Sequence, residues 1–348
     1  MTTTQFAELG VDQDLVDVLT ERGITAPFEI QTLTIPDGLA GRDVCGRAKT
    51  GSGKTLAFGL PLVQLLSKAK PGRPTGLALV PTRELAVQVC RELEPLAKAR
   101  NISVLAVYGG APIERQIAAL ERGVELVVAT PGRMIDLIER KDLSVADVQK
   151  VVIDEADRMA DMGFMPQVEW ILRRAESDHQ TLLFSATLDG MVGGLISRYQ
   201  QDPVMHEVAA GEATVEEMEH RFLAVHEMDR VKVAATIINA SNRTIVFSRT
   251  KWGADKLTRR LVDEGVKAAA IHGDLRQSQR EKALGDFGKG KVKALVATDV
   301  AARGIHVDDV DVVIHYDPPS DAKTYLHRSG RTARAGESGV VVSLVVWN

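Results

Sequence analysis

The chain has 348 residues, 45% of them hydrophobic, so it is long enough to bury substantial cores, and ordinary domain sizes predict about two of them. Its formal net charge of -4 argues against a generally sticky polycation, and no apolar stretch approaches the roughly 20 residues that a membrane span requires. The two cysteines, Cys45 and Cys90, lack metal-ligand spacing, which disfavours a disulfide framework and a zinc site. Because residues 1–10 also lack a basic segment and an apolar run, we expect a cytoplasmic protein without membrane contact.

The first 208 residues alternate between short apolar runs and helix-like segments. Each apolar run ends in a polar or glycine-containing turn. This alternation predicts a mostly parallel sheet covered by helices on both faces, with ligands at the carboxyl ends of the strands. The polar ends are then expected to share one edge of the sheet. The runs are DVCGRA (43–48), LALVPTRE (77–84), VLAVYGG (104–110), ELVVATPGR (125–133), VVIDEAD (151–157) and TLLFSAT (181–187).

The first run leads into a candidate phosphate-binding loop, AKTGSGKT, which precedes an apolar helix-like segment. The loop departs from the usual pattern, G-x-x-x-x-G-K-[ST], only in an alanine where the first glycine would stand. Gly51 and Gly53 still allow backbone N–H groups to converge on phosphate oxygens at a helix N-terminus. Lys54 is predicted to hold the β- and γ-phosphates and Thr55 to contact Mg²⁺, whereas the alternative is a turn without a ligand. The predicted nucleotide-binding residues of the loop are Thr50, Gly51, Ser52, Gly53, Lys54 and Thr55.

Three carboxylates lie close together at the end of the run VVIDEAD: Asp154, Glu155 and Asp157. Acidic residues are disfavoured in strands and repel one another, so stability gives little reason for this cluster. It could be a solvated turn with a helix-capping aspartate, or a Mg²⁺ site, since hard cations prefer oxygen ligands. Beside a phosphate loop, Asp154 is expected to hold Mg²⁺ and Glu155 to act as the catalytic base that positions the attacking water. For Asp157 we expect an inter-domain or turn contact.

An acidic segment that also contains alanine and glycine separates the chain into two parts. We predict an N-terminal domain at 1–208, a linker at 209–216 and a C-terminal domain at 217–348. Residues 1–216 hold 22 Lys and Arg against 30 Asp and Glu, whereas residues 217–348 hold 21 against 17. The second part is therefore mildly basic, which permits contact with a polyanion without establishing it. Its apolar runs have the same character, so we expect two similar α/β domains. These runs are TIVFSRT (244–250), AAAIHGD (268–274), ALVATDV (294–300) and VDVVIHYDPP (310–319).

Arginines recur every three residues in the segment HRSGRTARAG, where Arg328, Arg331 and Arg334 would share one face of a helix-like turn. Phosphoryl transfer spreads negative charge over the γ-phosphate oxygens, and an arginine that enters the site typically contributes about 10³ to 10⁵ in rate. The first domain offers no good candidate for this role. Arg331 and Arg334 are therefore predicted to be catalytic, and the alternative is a basic surface patch.

These motifs follow one another in a fixed order along nearly the whole chain. In order they are Phe6, GITAPFEIQ (23–31), AKTGSGKT (48–55), PTREL (81–85), GG (109–110), TPGR (130–133), DEAD (154–157), SAT (185–187), IVFSRT (245–250), HGDLRQSQR (272–280), ATDVAARGI (297–305) and HRSGRTARAG (327–336). Their joint order resembles the DEAD-box family of superfamily 2 RNA helicases, and among bacterial members it is most similar to the RhlE-type group. The resemblance implies two tandem RecA-like domains and an ATP- and Mg²⁺-dependent enzyme that unwinds or remodels structured RNA.

The resemblance also implies roles for individual residues. Gln31 would read the adenine edge, and Phe6 would pack on the base. Coupling between the ATP site and domain closure is implied for Asp157, Ser185, Thr187, Arg303 and His327. The RNA-facing positions would be Pro81, Thr82, Arg83, Gly110, Thr130 and Arg133 in the first domain, and Arg249, Thr250, Gly273, Gln277, Arg280 and Thr298 in the second. Many of these residues suit contacts with phosphate and sugar, so little sequence specificity is expected, and the 2′-hydroxyl would distinguish RNA from DNA.

The chain departs from the family pattern at His306, where most members carry an aspartate associated with the ATP ribose. A neutral or positive imidazole is not a carboxylate acceptor, so this departure affects ribose affinity and coupling between the domains. We expect His306→Asp to tighten ATP binding or to raise RNA-stimulated turnover. Ala333, where many members have glycine, is conservative in size.

Three alternatives to an RNA helicase remain at this point. A DNA-directed helicase or translocase would respond to DNA as an activator, and an RNA clamp or scaffold would bind ATP but turn it over slowly. A metabolite kinase would leave the arginines of the second domain unexplained. RNA is the expected partner, ribosome assembly and RNA decay are settings that would add protein partners, and we expect a monomer.

Overall fold

The chain consists of two compact units, residues Met1–Ala210 and Gly211–Asn348. Their architecture comes from a computed structural model, which describes residues 5–48, 51–175, 178–188, 190–208, 218–302, 310–332 and 339–347. The division between the units falls within the segment predicted as a linker, 209–216, which itself lies outside the described residues. Each unit is a separate α/β domain.

The first unit is built on a sheet whose strands are all parallel over the described residues. Their order in the sheet is β3-β4-β2-β5-β6-β1-β7. Because all strands run in one direction, the polar turns that follow them lie at the same edge of the sheet. The strands are β1 (Val44–Arg47), β2 (Gly76–Leu79), β3 (Val104–Val107), β4 (Leu126–Ala129), β5 (Lys150–Asp154), β6 (Gln180–Ser185) and β7 (Val204–Glu207).

Helices connect these strands and cover both faces of the sheet. The core accordingly has two layers, and neighbouring residues of one strand belong to different layers: Val152 packs in one, Val151 and Ile153 in the other. This explains why the strands read as continuous apolar runs rather than alternating ones. The helices are a 3₁₀ turn (Phe6–Leu9), α1 (Gln13–Glu21), α2 (Glu29–Leu39), α3 (Lys54–Leu65), α4 (Arg83–Ala99), α5 (Ile113–Leu120), α6 (Pro131–Glu139), α7 (Ala156–Asp161), α8 (Met165–Leu172) and α9 (Gly190–Tyr199).

The second unit repeats this architecture with a parallel sheet in the order β10-β11-β9-β12-β13-β8. Its strands are β8 (Met218–His226), β9 (Thr244–Phe247), β10 (Ala268–Ile271), β11 (Ala294–Ala297), β12 (Val312–His315) and β13 (Gly339–Trp347). Its helices are α10 (Arg230–Ala240), α11 (Lys251–Asp263), α12 (Gln277–Gly288), α13 (Asp299–Ala302) and α14 (Ala322–Ser329). Two apolar layers again enclose the sheet, with Val246 in one and Ile245 and Phe247 in the other.

The predicted fold class, two α/β domains each with a mostly parallel sheet covered by helices on both faces, is confirmed. None of the helices in the described ranges is long and apolar enough to cross a membrane. Cys45 and Cys90 are free thiols, and burial raises the pKa of both to about 12, so they behave as packing residues.

Candidate functional site

The phosphate-binding loop joins the end of β1 to the start of α3. Gly51 and Gly53 adopt positive φ angles of 88° and 85°, a conformation that glycine reaches without steric cost, and Gly53 is the N-cap of α3. Lys54 begins the helix with a 7% exposed side chain, and its Nζ donates a 3.0 Å hydrogen bond to the carbonyl of Ala48. This ammonium group has two further N–H donors, so the helix start suits a phosphate group. Thr50 lies outside the described residues.

Gln31 of α2 contacts this loop directly. Its Nε2 donates to the carbonyl of Gly53 at 2.9 Å, and its Oε1 accepts from the backbone N–H of Phe28 at 2.8 Å. An amide offers two N–H groups and two lone pairs, so Gln31 keeps one of each for a ligand. Gln31 is 1% exposed, so its role at an adenine edge stays a prediction.

Phe6 is buried like Gln31, and its role against the base also stays a prediction. Phe6 lies in the 3₁₀ turn, is 1% exposed and packs in the apolar core with Leu9 and Leu15. No face of its ring is open to a base, because closing the N-terminal segment onto the core buries more apolar surface than exposing the ring would. The exposed aromatic residue beside Gln31 is instead Phe28, with 62% of its surface accessible.

Asp154 and Glu155 lie at the end of β5, which is separated from β1 by one strand, β6. Strand pairing places Ser185 of β6 beside Arg47, at the start of the loop, and Phe184 beside Asp154 at the end of β5. Asp154 and Glu155 are each 3% exposed. Burial raises the pKa of Asp154 to about 7 and the nearby Glu155 adds to this, while the positive charge of Lys54 opposes it. A divalent cation would offset both causes of the raised pKa, so this carboxylate suits a Mg²⁺ ligand.

Glu155 is held in place by contacts on both sides. Its backbone has a left-handed conformation, φ 52° and ψ 47°, and caps α7. Its N–H donates to Asp154 Oδ1 at 2.9 Å, and its carboxylate forms a buried ion pair with Arg158, one turn further along α7. The arrangement fixes the direction in which this carboxylate points.

Thr55 makes a contact that the sequence did not predict. Its hydroxyl is hydrogen-bonded to the carboxylate of Glu92 on α4. Burial raises the pKa of Glu92, whereas this hydrogen bond and the charge of Arg22 lower it. Thr55 is thus positioned by α4 as well as by the loop.

The motifs DEAD and SAT are joined by one hydrogen bond, in which the backbone N–H of Asp157 donates to Ser185 Oγ at 3.1 Å. Ser185 is fully buried, and Arg47 Nε donates to the carbonyl of the next residue, Ala186, at 3.3 Å. Thr187 follows on the surface. The structure therefore brings Asp157 and Ser185 together, next to the phosphate loop.

The predicted RNA-facing residues of the first unit gather at the ends of β2, β3 and β4. Arg83 packs against Gly110, whose φ is 85° and where a Cβ atom would collide with the guanidinium. Arg133 donates to the carbonyl of Ala111 at 3.3 Å and to Gln116 Oε1 at 3.3 Å. Both arginines are thereby anchored to the turn that follows β3.

The other predicted RNA-facing residues of the first unit include two threonines that begin helices. Thr82 caps α4, since its hydroxyl accepts from the N–H of Leu85 at 3.2 Å, and it follows the buried Pro81. Thr130 is the N-cap of α6 and donates its own N–H to the carbonyl of Val107 at 2.9 Å.

In the second unit the predicted RNA-facing residues lie at the ends of β9, β10 and β11. The N–H of Arg249 donates to Asp317 Oδ2 at 2.8 Å, and Thr250 caps α11 by accepting from Gly253 at 2.9 Å. Lys251 pairs with Asp274 at 2.5 Å and passes beside Gly273. Thr298 follows β11 and is 7% exposed, while Gln277 and Arg280 stand in the first turn of α12.

Arg328 and Arg331, the two described arginines near the C-terminal end, differ in their contacts. Arg328 is 2% exposed and binds Asp299 with two hydrogen bonds of 2.6 and 2.9 Å. Arg331 follows the end of α14 at Ser329, and its N–H donates to the carbonyl of Arg328 at 3.2 Å. Both arginines line one small cavity, and their shared donor role stays a prediction. Arg331 is 8% exposed, and His327 is on the surface. Arg303, His306, Ala333 and Arg334 lie outside the described residues.

Four contributors to these sites were missed in the sequence: Phe28, Arg158, Gln116 and Asp317. Arg158 could have been found from its i+3 spacing to Glu155, since such residues are neighbours on a helix. Phe28 stands three residues before Gln31, inside a motif already singled out. Asp317 accepts from Ser248 and Arg249 across about 70 residues of sequence, and no local signal indicates this pairing.

Comparison with known proteins agrees with this arrangement. Residues 28–192 match the family model of the DEAD/DEAH box helicases, and residues 226–336 match that of the helicase conserved C-terminal domain. A DEAD-box ATP-dependent RNA helicase, CshA of Geobacillus kaustophilus, is 42% identical over 344 residues, which cover 98% of this chain and 73% of that protein. The chain belongs to the DEAD/DEAH box helicase family. The curated relatives in this comparison carry the name ATP-dependent RNA helicase.

Further relatives extend the comparison of this DEAD-box chain. The ATP-dependent RNA helicase CshA of Listeria monocytogenes is 42% identical over 98% of this chain and 66% of its own length, so the chain spans about two thirds of that relative. The solved structure of S. cerevisiae Dbp5 bound to RNA and ADP BeF3 matches with a TM-score of 0.84 and 29% identity, over 99% of this chain and 90% of that one. A DEAD box protein from Methanococcus jannaschii matches with a TM-score of 0.56 and 37% identity, over 98% and 93%.

Proposed function

We propose that the chain uses ATP and Mg²⁺ to unwind or remodel structured RNA. The observation that carries this proposal is the edge of the first sheet, where the phosphate loop, the buried carboxylates of Asp154 and Glu155, and Gln31 lie on neighbouring elements. A metabolite kinase would require the loop but would not explain the arginine, threonine and glycine residues at the strand ends of both units.

The phosphate loop would bind the nucleotide through its backbone N–H groups and Lys54. Lys54 would contact the β- and γ-phosphates from the first turn of α3, where the helix dipole also favours an anion. Asp154 and Thr55 would hold Mg²⁺, which supplies positive charge to the phosphate oxygens when it is bound. Gln31 would hydrogen-bond the polar edge of adenine with its remaining N–H group and lone pair.

Glu155 would orient the attacking water and accept its proton. The ion pair with Arg158 and the left-handed backbone keep the carboxylate in a single direction, which is what a general base requires. Arg331 and Arg334 would add positive charge to the γ-phosphate in the transition state, as the family resemblance implies. Asp157, Ser185, Thr187, Arg303 and His327 would make this chemistry depend on closure of the two domains.

RNA would be held mainly through its sugar-phosphate backbone. Arg83 and Arg133 are charged donors, and threonine hydroxyls and glycine N–H groups, which lie beside them, are types of group that bind phosphate without reading bases. The RNA-bound structure of Dbp5 supports a nucleic-acid strand in this role. Selectivity for RNA over DNA would then come from contacts with the 2′-hydroxyl.

The subgroup and the cellular setting remain proposals. The relatives named above carry the name CshA, whereas the motifs suggested an RhlE-type member, so the RhlE-type assignment stays a prediction without support from those relatives. A monomer in the cytoplasm that works with ribosome-assembly or RNA-decay proteins also stays a prediction.

The test is steady-state ATP hydrolysis without nucleic acid, with single-stranded RNA and with DNA of the same sequence. We expect strong stimulation by RNA, little by DNA and none in Glu155→Gln, which controls for contaminating ATPases. Equal stimulation by DNA would favour a DNA-directed helicase, and absent stimulation would favour an RNA clamp with slow turnover.

A further inference from the structure

Trp252 is an exposed tryptophan in the first turn of α11. It is 67% exposed, the highest value among the aromatic residues that the structure describes. Tryptophan is buried over most of its surface in typical proteins, because its ring carries a large apolar area. Single exposed apolar residues are nevertheless common, so the position of Trp252 has to carry the argument.

Trp252 lies at the edge of the second sheet where the predicted RNA-facing residues gather. It comes two residues after Thr250, which caps α11 and accepts from the N–H of Gly253 at 2.9 Å. A Cβ atom on Gly253 would lie only 2.8 Å from the hydroxyl oxygens of Ser248 and Thr250, so the first turn of α11 packs closely on the end of β9. Because helical side chains tilt towards the N-terminus of their helix, the Cα–Cβ bond of Trp252 is directed towards this edge.

The neighbours of Trp252 on the outer face of α11 are cations. Lys256, one turn further on, places its Nζ 4.8 Å from the centre of the indole ring, and Arg259 follows on the same helix face. Both cations are exposed. The acidic residue of these turns, Asp255, has its Oδ1 only 2.9 Å from Nε2 of His272. An aromatic ring beside cations is the combination that binds single-stranded nucleic acid, with a base on the ring and the cations near phosphates.

The residues proposed to hold RNA contact its sugar and phosphate groups, so the bases of a bound strand stay available for other contacts. The family resemblance and the comparisons assign no role to Trp252. We propose that the indole ring of Trp252 stacks on a base of the bound RNA strand. The inference rests on the proposed RNA-dependent function and adds a base contact to a surface that otherwise holds the backbone. Since every base has a π face, this contact adds affinity without selecting a sequence.

The test compares two single-stranded oligonucleotides with the same ribose-phosphate backbone, one carrying bases and one abasic throughout. Their affinities are measured by fluorescence anisotropy, with an ATP analogue present, for wild type, Trp252→Leu and Trp252→Phe. We expect Trp252→Leu to weaken binding of the base-carrying RNA about fivefold or more, because stacking of one base on an aromatic residue commonly contributes at least that factor. Binding of the abasic RNA should be unchanged. Trp252→Phe keeps an aromatic ring, so its affinity for the base-carrying RNA should lie closer to that of wild type.

Two further variants serve as controls and as a direct readout. Trp347→Leu removes a tryptophan of 56% exposure from β13 of the same unit and should leave both RNA affinities unchanged. In Trp170→Phe/Trp347→Phe, Trp252 is the remaining one of the three tryptophans, so the fluorescence comes from this ring alone. We expect the base-carrying RNA to quench this fluorescence and the abasic RNA to leave it nearly unchanged, because stacking brings a base into contact with the ring.

Two results would overturn the inference alone. Equal weakening of both oligonucleotides in Trp252→Leu would mean that the ring supports the backbone contacts, and unchanged affinity for the base-carrying RNA would mean that the ring does not contact RNA. Wild type that binds neither oligonucleotide would overturn the proposed function together with this inference.

Discussion

Glu155 has an unfavourable backbone conformation, and its carboxylate is held in one orientation. A left-handed backbone in a residue with a side chain costs on the order of 1 kcal/mol or more, and Glu155 adopts one while both it and Arg158 are buried. Such strain persists only where the surroundings determine it, which is typical of catalytic positions.

Replacing Arg158 tests this positioning. Arg158→Ala removes the ion pair with Glu155, so we expect kcat for RNA-stimulated ATP hydrolysis to fall by about tenfold or more, since a misplaced general base loses much of its contribution. The KM for ATP should change far less, because Lys54 and Gln31 are the residues proposed to bind the nucleotide. Arg158→Lys keeps the positive charge but lacks the planar guanidinium group. Its kcat should lie between those of wild type and Arg158→Ala. A wild-type kcat in Arg158→Ala would contradict the role of this pair.

Gly110 tests the anchoring of Arg83. A Cβ atom there would collide with the end of the Arg83 side chain, which is flexible and would move away. We expect Gly110→Ala to weaken binding of single-stranded RNA, measured by fluorescence anisotropy with an ATP analogue present, by about tenfold, the effect of losing one charge-assisted hydrogen bond. Nucleotide affinity should be unchanged.

The control for this variant is Gly265→Ala. Its φ of 82° gives a similar backbone cost, but a Cβ atom at Gly265 meets nothing within 4 Å. If both variants lose the same RNA affinity, the effect comes from the backbone and not from Arg83.

At the level of elements, strands and their end motifs could be predicted from the sequence because both signals are local. A continuous apolar run indicates a strand buried on two faces, and the glycines of the phosphate loop indicate the turn after it. Contacts between elements could not be predicted, since they depend on how side chains pack in three dimensions. Thr55 with Glu92, Gln116 with Arg133, and Arg328 with Asp299 are of this kind.

The end of β12 gives a pH-dependent prediction at this scale. His315 is 1% exposed, and burial, aided by the charge of Arg328, lowers its pKa to about 4. In the unfolded chain it titrates near about 6.5, so its contribution to stability is complete above that pH and is lost as the pH falls towards 4. We expect the free energy of unfolding of the second unit to fall by up to about 1.4 kcal/mol per pH unit in this window from this residue alone.

The free energy of unfolding of the second unit can be measured by urea unfolding of Trp170→Phe. In this variant the tryptophan fluorescence comes from Trp252 and Trp347, which both lie in the second unit. The free energy of unfolding is measured at several pH values between about 4.5 and 7.5. As the pH falls, it should decline less steeply in Trp170→Phe/His315→Leu than in Trp170→Phe. Identical slopes with and without His315 would show that other groups cause the acid sensitivity.

For the whole molecule, two similar α/β units were evident from the repeated pattern and the acidic segment between its two parts. The burial of Phe6 could not be predicted in this way, because an aromatic residue near a helix start can be buried or exposed, and only the complete core of the first unit decides which. Family membership is established by the comparisons, whereas the residue roles are proposals that rest on the family resemblance and on geometry within each unit.

The measurement that tests the central claim most directly is separation of a short RNA duplex with a single-stranded extension, followed by release of a labelled strand. We predict rapid strand release with ATP and Mg²⁺, little release with ADP, and little in Glu155→Gln. RNA binding and RNA-stimulated hydrolysis without any strand release would contradict the helicase account and favour an RNA clamp.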